Sequence, residues 1–334
     1  MQQVLVARHA MATRFEIVLH GEDSNRLRTA GEEALDEIER IEHMLSVYDP
    51  TSEIANLNGR AAREAVRVSP ETFSLLDRAM RLSRATAGAF DITVGPLMRC
   101  WGLMGKSGRV PDAQELANAR ECVGMHLVRL DSATSSVRFE HPGVKLDLGA
   151  IGKGYAVECA IEIVRDAGVT SAFIHGGTST AYGLGYQPGG EPWKVAIDRP
   201  QRSAGAEGPP AINVADEPAT LATVTLTDEA LSVSAPSGKS FQIGDSTYGH
   251  VIDPRTGSPT ARAALAAVVV SSATDSDALS TALLVLGVDG SSAVTGSNSE
   301  VKFFVANWSH DSQSLRARAR EIPVASTRGL LLID

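Results

Sequence analysis

The sequence predicts an α+β protein: mixed, largely antiparallel sheets packed with helices, in one large two-lobed unit spanning residues 1–334. Three observations lead there. Strand-like and helix-like segments alternate without a regular βαβ rhythm, which argues against a doubly wound sheet. No internal repeat is visible. A chain of 334 residues that is 43% hydrophobic and 21% charged can bury a large core.

The elements follow in order. Residues 2–8 and 14–20 read as strands, the second with Phe15, Ile17 and Leu19 alternating with polar neighbours. Leu27, Ala30, Ala34, Ile38, Ile41 and Leu45 recur at spacings of three and four and form the apolar stripe of a long helix with an acidic outer face. The run Tyr48-Asp-Pro-Thr-Ser-Glu53 ends it with turn residues. A second helix is predicted over 70–86, a short one over 113–119, and two strands within 126–139 around Asp131-Ser132. Leu146 to Gly154 reads as a strand entering a glycine-rich turn, and Tyr155 to Ala167 as a helix. Strands are expected from Ser171 to Gly177, Trp193 to Ile197, Ala264 to Ser271, and from Lys302. The helix from Asp275 to Leu286 is predicted to end before Gly287. Residues 200–219, rich in Ala, Gly, Pro and Glu, read as a surface loop.

The net charge of −9 argues against nucleic acid or an anionic membrane surface as the main partner. A phosphate ligand must then be held by local donors and a metal. Cys100, Cys122 and Cys159 lie far apart without metal-ligand spacing, so free thiols are expected. No run is long enough for a transmembrane segment. No signal or lipid-anchor segment is visible, so the expected location is cytoplasmic, or periplasmic and membrane-anchored if a leader has been removed.

Five segments carry chemistry. His250-Val-Ile-Asp-Pro-Arg-Thr-Gly257 places a histidine before a proline-fixed turn, where it can move a proton near neutrality. Asp277 and Thr281, at i and i+4, share a helix face and offer hard oxygens to a metal. Asp147-Leu-Gly-Ala-Ile-Gly-Lys-Gly154 is neither GxxxxGK[ST] nor GxGxxG. By pattern it is either a tight turn or a phosphate-binding helix start with Lys153 as a point charge. In Gly88-Ala-Phe-Asp-Ile-Thr-Val-Gly-Pro96, Asp91 either closes a hydrogen-bonded turn or reads a ligand's donors. Gly176-Gly177 marks close packing against the main chain, by ligand or by protein.

Taken in order, these segments resemble the FAD:protein FMN transferase family, the ApbE-type flavin transferases, from about Met11 to about Gly287. Met11-Ala-Thr13 is similar to the family's Met-Gly-Thr. Ser46 to Asn58 resembles its Ser/Glu/Asn box, Gly88 to Trp101 its Gly-x-Phe-Asp-x-Thr box, and Leu146 to Tyr155 its Asp-Leu-Gly-Ala-Ile-x-Lys-Gly-Tyr box. His250 to Gly257 and Asp277 to Thr281 resemble its two C-terminal boxes. The resemblance implies an enzyme that uses Mg²⁺, cleaves FAD, moves FMN onto a threonine hydroxyl of a partner protein with a Thr/Ser flavinylation motif, and releases AMP. Its alternative is an FAD-binding or FAD-hydrolysing member without a protein acceptor. By resemblance, FAD contacts fall on Met11, Tyr48, Ala89, Phe90, Asp91, Asp147, Lys153 and Val251, and Gly176 and Gly177 are expected beside them. The metal falls on Ala150, Asp277, Ser280 and Thr281, the first through its carbonyl. His250 is the expected general base, with Asp253 orienting it or sharing its work. Three departures stand out: Thr178 where Asp or Asn is usual, Pro236-Ser237-Gly238 for Thr-Ser-Gly, and Glu158 for Asp.

Overall fold

The chain opens with a hairpin. In a computed structural model, which describes residues 1–105, 108–200, 220–236, 240–244, 246–295, 300–309, 314–324 and 329–333, β1 (Gln2–Ala10) and β2 (Thr13–Gly21) pair antiparallel with Ala10 opposite Thr13. Met11 and Ala12 alone make the turn, with φ of 49° and 58°. A two-residue loop with both angles positive matches the twist of paired strands but is costly for residues with a side chain. After it, Asp23 caps α1 (Ser24–Leu45) by accepting from the amides of Asn25 and Arg26. The predicted stripe from Leu27 to Leu45 is buried as a whole.

The elements that follow are α2 (Glu53–Arg60), β3 (Val66–Arg67), α3 (Pro70–Ala85), α4 (Gly95–Cys100), α5 (Ala113–Arg120), β4 (Val128–Asp131), β5 (Ser136–Phe139) and α6 (Gly152–Asp166). The second half holds β6 (Ser171–Gly176), β7 (Thr180–Leu184), β8 (Trp193–Asp198), β9 (Thr220–Leu226), β10 (Glu229–Ser234), β11 (Ser240–Ile243), β12 (Ser246–Gly249), β13 (Leu265–Val270), α7 (Ala273–Gly290), β14 (Lys302–Trp308), β15 (Leu315–Arg320) and β16 (Leu330–Leu332). Nine strands form one sheet in the order β1-β2-β6-β7-β10-β13-β14-β15-β16. Each pairing in it is antiparallel except β15 with β16. Helices on an antiparallel sheet make the architecture α+β, as predicted.

Both faces of the sheet are covered. Along β13, Ala266 and Val268 face the main core, which α1, α6 and α7 share, while Leu265, Ala267 and Val269 join a second core. That core is closed by the β8–β9 ribbon through Trp193, Ile197, Leu221, Val224 and Leu226. Burial on both sides explains why β13 reads as a continuous apolar run rather than an alternation. α7 is buried around nearly its whole circumference. It breaks at Gly287 (φ 72°), where the predicted end lies, and the chain then turns helical again to Gly290.

Two expectations need correction. Leu146 to Ile151 is not a strand: only Lys145 forms an isolated bridge, to Val94, and the next backbone groups find side-chain and loop partners instead. The glycine-rich turn is shorter than expected: residues 149–151 form it, and Gly152 and Gly154 already lie within the first turn of α6. Short strands such as β7, β10 and β15 carried no clear sequence signal. Most of the predicted 200–219 loop, residues 201–219, lies outside the described residues, as do Ser237 and Gly238.

Candidate functional site

The N-termini of α6 and α7 meet. A Cβ on Gly154 would lie 2.2 Å from the Ala273 carbonyl oxygen and 2.6 Å from the Asp277 Cβ, so only glycine permits this approach. The Gly154 amide, one of the donors a helix start leaves without an intrahelical acceptor, donates to an Asp277 carboxylate oxygen at 2.9 Å. A carboxylate from a second helix thus caps α6, whose own N-cap, Ile151, supplies no side-chain bond. The positive end of the α6 dipole favours that charge.

Around Asp277 the structure gathers hydroxyls. Ser280 is fully buried and donates to the Asp277 carbonyl at 2.9 Å. The Ser234 hydroxyl, at the end of β10, lies 2.8 Å from Ser280 Oγ and 3.4 Å from Thr281 Oγ1. Ser234 was missed by sequence reasoning, since one serine in a short strand carries no pattern. Asp277 is only 4% exposed, and its second oxygen accepts no hydrogen bond among the described residues. A buried carboxylate with an open oxygen, flanked by hydroxyls, is a donor set that fits a hard divalent cation. The residues present therefore fit a Mg²⁺ ion. Half-buried Ala150 stands just before α6.

The Ser46–Asn58 box is a self-built scaffold. Ser46 Oγ accepts from the amides of Tyr48 and Asp49 at 3.2 Å, and Asp49 accepts from Thr51 through both amide and hydroxyl. The turn leaves Tyr48 71% exposed, its ring available for stacking. Partial desolvation and the negative charge of Asp147 raise the Tyr48 hydroxyl pKa, which places the two groups within electrostatic reach. Asn58 stands in for the missing strand partner of residue 146, accepting from the Leu146 amide at 2.7 Å and donating to its carbonyl at 2.9 Å. The Asp147 amide donates to Ile92 at 2.7 Å, and its carboxylate accepts from Gly149 at 2.9 Å. Lys153 Nζ lies 3.5 Å from the Gly149 carbonyl.

The Ala89–Asp91 segment differs from expectation. Ala89 and Phe90 are buried in the main core, so their side chains face protein. Asp91, 8% exposed, accepts from Thr93 amide and hydroxyl at 2.8 and 2.5 Å, from the Met125 amide at 3.0 Å and from Ser83 at 3.5 Å. Burial raises its pKa, and these bonds oppose the rise. What its carboxylate holds here is the chain itself. Gly176 and Gly177 likewise pack against protein: added Cβ atoms would lie 2.6 Å from the Phe15 ring and 2.3 Å from Thr13 Oγ1. Met11 occupies the strained hairpin turn and packs on the main core.

The histidine turn closes on itself. The Gly257 amide donates to the Asp253 carbonyl at 2.8 Å, and Trp101 Nε1 donates to the Gly257 carbonyl at 2.8 Å. Asp253, 3% exposed, was expected to orient His250. Its carboxylate accepts the Arg255 amide at 3.0 Å and two Arg255 guanidinium bonds at 2.8 Å. The short spacing favours this bidentate pair, which shapes the turn and leaves Asp253 no role as a free base. His250 and Val251 are half-buried at the entrance to the turn.

Contacts join these segments. Pro236 lies 3.1 Å from a Cβ added at Gly249, next to His250, and Arg255 lies 3.8 Å from one added at Gly88. Ser234, beside the Asp277 hydroxyls, stands two residues before Pro236, which packs on Gly249, the residue before His250. Beside the turn, a cleft of about 400 Å³ opens between Arg84, Gly88, Asp91, His126 and Arg255.

The sequence matches the model of the ApbE family over residues 11–305. The FAD:protein FMN transferase of Vibrio cholerae serotype O1 is 29% identical over 281 residues, covering 83% of this chain and 78% of that protein. Among solved structures, the ApbE protein of Thermotoga maritima superposes with a TM-score of 0.80 at 28% identity, over 91% of this chain and 94% of that one. The flavin transferase ApbE from Vibrio cholerae gives 0.77 at 25% identity, over 98% of each chain.

Proposed function

This chain belongs to the ApbE family, and from that premise we propose that it is an FAD:protein FMN transferase that moves FMN from FAD to a threonine hydroxyl of an acceptor protein and releases AMP. The observation that carries the reading is the Asp277 carboxylate capping α6 among the hydroxyls of Ser234, Ser280 and Thr281. Asp277 and Thr281, with the Ala150 carbonyl, would hold Mg²⁺, and Ser280 and Ser234 would orient them. Bound there, the ion neutralises pyrophosphate charge.

The protein's own groups do the rest. Tyr48 stacks on a ring of FAD, and Asp147 and Lys153 meet its polar atoms. Val251 and the backbone at Ala89 and Phe90 border the same ligand. Asp91, Gly176 and Gly177 shape the site from behind. His250 takes the proton from the acceptor hydroxyl as its oxygen attacks the FMN phosphorus. The bond from that phosphorus to the bridging oxygen breaks, and AMP leaves with the oxygen. Asp253 and Arg255 hold the turn that aims the imidazole.

The test combines the protein, FAD, Mg²⁺ and an acceptor bearing an Asp-Gly-x-Ser/Thr-Gly-Ala-Thr motif. The acceptor should gain the mass of FMN while AMP appears. His250→Ala should keep FAD binding and lose at least about 100-fold in transfer rate, the scale of a general base. Asp277→Ala should raise the Mg²⁺ requirement. Unmodified acceptor with intact FAD would overturn the proposal. AMP release without acceptor modification would favour an FAD hydrolase.

A further inference from the structure

One turn beyond Gly154 on the same face of α6 stands Glu158. One carboxylate oxygen accepts from Arg78 of α3 at 2.6 Å. The other accepts from the Ser272 hydroxyl at 2.5 Å and from the Thr274 amide at 3.0 Å. Thr274 belongs to the first turn of α7 and Ser272 is its N-cap. Arg78 also donates to Ser272 Oγ and, at 2.7 Å, to Asp275.

The two helices therefore exchange caps. Asp277 of α7 closes an amide at the start of α6, and Glu158 of α6 closes an amide at the start of α7. Each carboxylate stands one turn along its own helix from the amide that donates to the other helix's carboxylate. With Gly154 allowing backbone contact, these bonds fix the helices in one register. A partly buried ion network of this kind adds little net stability, because desolvation offsets the attraction. Its contribution is a defined position.

We infer that Glu158, held by Arg78, is a positioning residue for the Asp277 carboxylate and so for the cation placed there by the reading above, on which this inference rests. It touches neither ion nor substrate. It sets the height of α7 against α6, which decides where the open oxygen of Asp277 points.

The experiment is an Mn²⁺ titration, counting free Mn²⁺ by electron paramagnetic resonance with FAD present, on wild type and Glu158→Gln. The variant should bind Mn²⁺ about 10-fold or more weakly, the scale of lost outer-shell support. Its affinity for FAD without metal should stay near wild type, and it should remain folded at neutral pH with a modestly lower melting temperature. The Mg²⁺ concentration giving half-maximal FMN transfer should rise by the same factor, with kcat at saturating Mg²⁺ retained. Should Glu158→Gln fail to fold, Ser272→Ala, which removes the hydroxyl shared by Arg78 and Glu158, should show a severalfold loss. Unchanged Mn²⁺ affinity in a folded variant overturns the inference alone. No Mn²⁺ binding by wild type overturns the metal reading and the inference together.

Discussion

Asp91, Asp253 and Asp277 are each at most 8% exposed, yet their surroundings differ. Asp91 is filled by amides and hydroxyls, Asp253 by an amide and one guanidinium, and Asp277 by a single amide. The count of donors distinguishes the two turn-builders from the carboxylate left with an open oxygen, and no local sequence pattern reports it. Backbone strain is equally local. Ala12 holds φ 58° in the hairpin beside Met11. Ala12→Gly should remove the steric cost of that angle, about 1–2 kcal/mol, against a chain-entropy loss of about 0.5–1 kcal/mol. The expected gain is roughly 0.5–1 kcal/mol, read as a higher denaturant midpoint. A lower midpoint would show that the turn carries no such strain.

Among the elements, α6 and α7 decide the site. Gly154→Ala drives a methyl into the Ala273 carbonyl and must separate the helices. A loss of about 2 kcal/mol or more is expected, on the scale of overpacking, and the proposed FMN transfer should fall with it. Wild-type stability in this variant would mean the helices do not approach so closely. The same interface responds to acid. Burial works against the Glu158 charge, but bonds from Ser272, the Thr274 amide and Arg78 outweigh it, and its pKa falls below the usual value. A carboxylate with a lowered folded pKa contributes stability that is complete above its unfolded pKa, near about 4.3. That contribution is lost as pH falls through the lower folded value. The wild-type melting temperature should therefore drop in that acid window, and Glu158→Gln should show a shallower drop. Parallel acid limbs would place the sensitivity elsewhere.

At the scale of the whole molecule, the nine-stranded sheet is shared by both large cores. β13 gives alternate residues to each, and neighbouring β14 does the same through Phe303 and Phe304. Damage to one face should reach the other. Phe304→Ala in the second core, costing about 3–5 kcal/mol, and Val268→Ala in the main core should lower one and the same calorimetric transition. Two separate transitions, each answering to one variant, would show two independently folding lobes. No helix among the described residues is long and apolar enough to cross a membrane.

Much of this was legible in the chain. The α1 stripe, the Asp253-Pro-Arg turn, the break at Gly287 and the order of glycine and carboxylate boxes are local patterns. Their physics acts over a few residues, so the sequence by itself determined them. Three kinds of feature were decided only in three dimensions. Leu146 lost its strand because an asparagine 88 residues away supplied the missing bonds. Ser234 and Glu158 gained their places from neighbours 46 and 116 residues away. Asp277 met Gly154 across 123 residues because the start of α6 has no side-chain cap of its own. Hydrogen-bond satisfaction is settled in the folded interior, where every buried donor and acceptor must find a partner, and a linear pattern does not say from which part of the chain that partner comes.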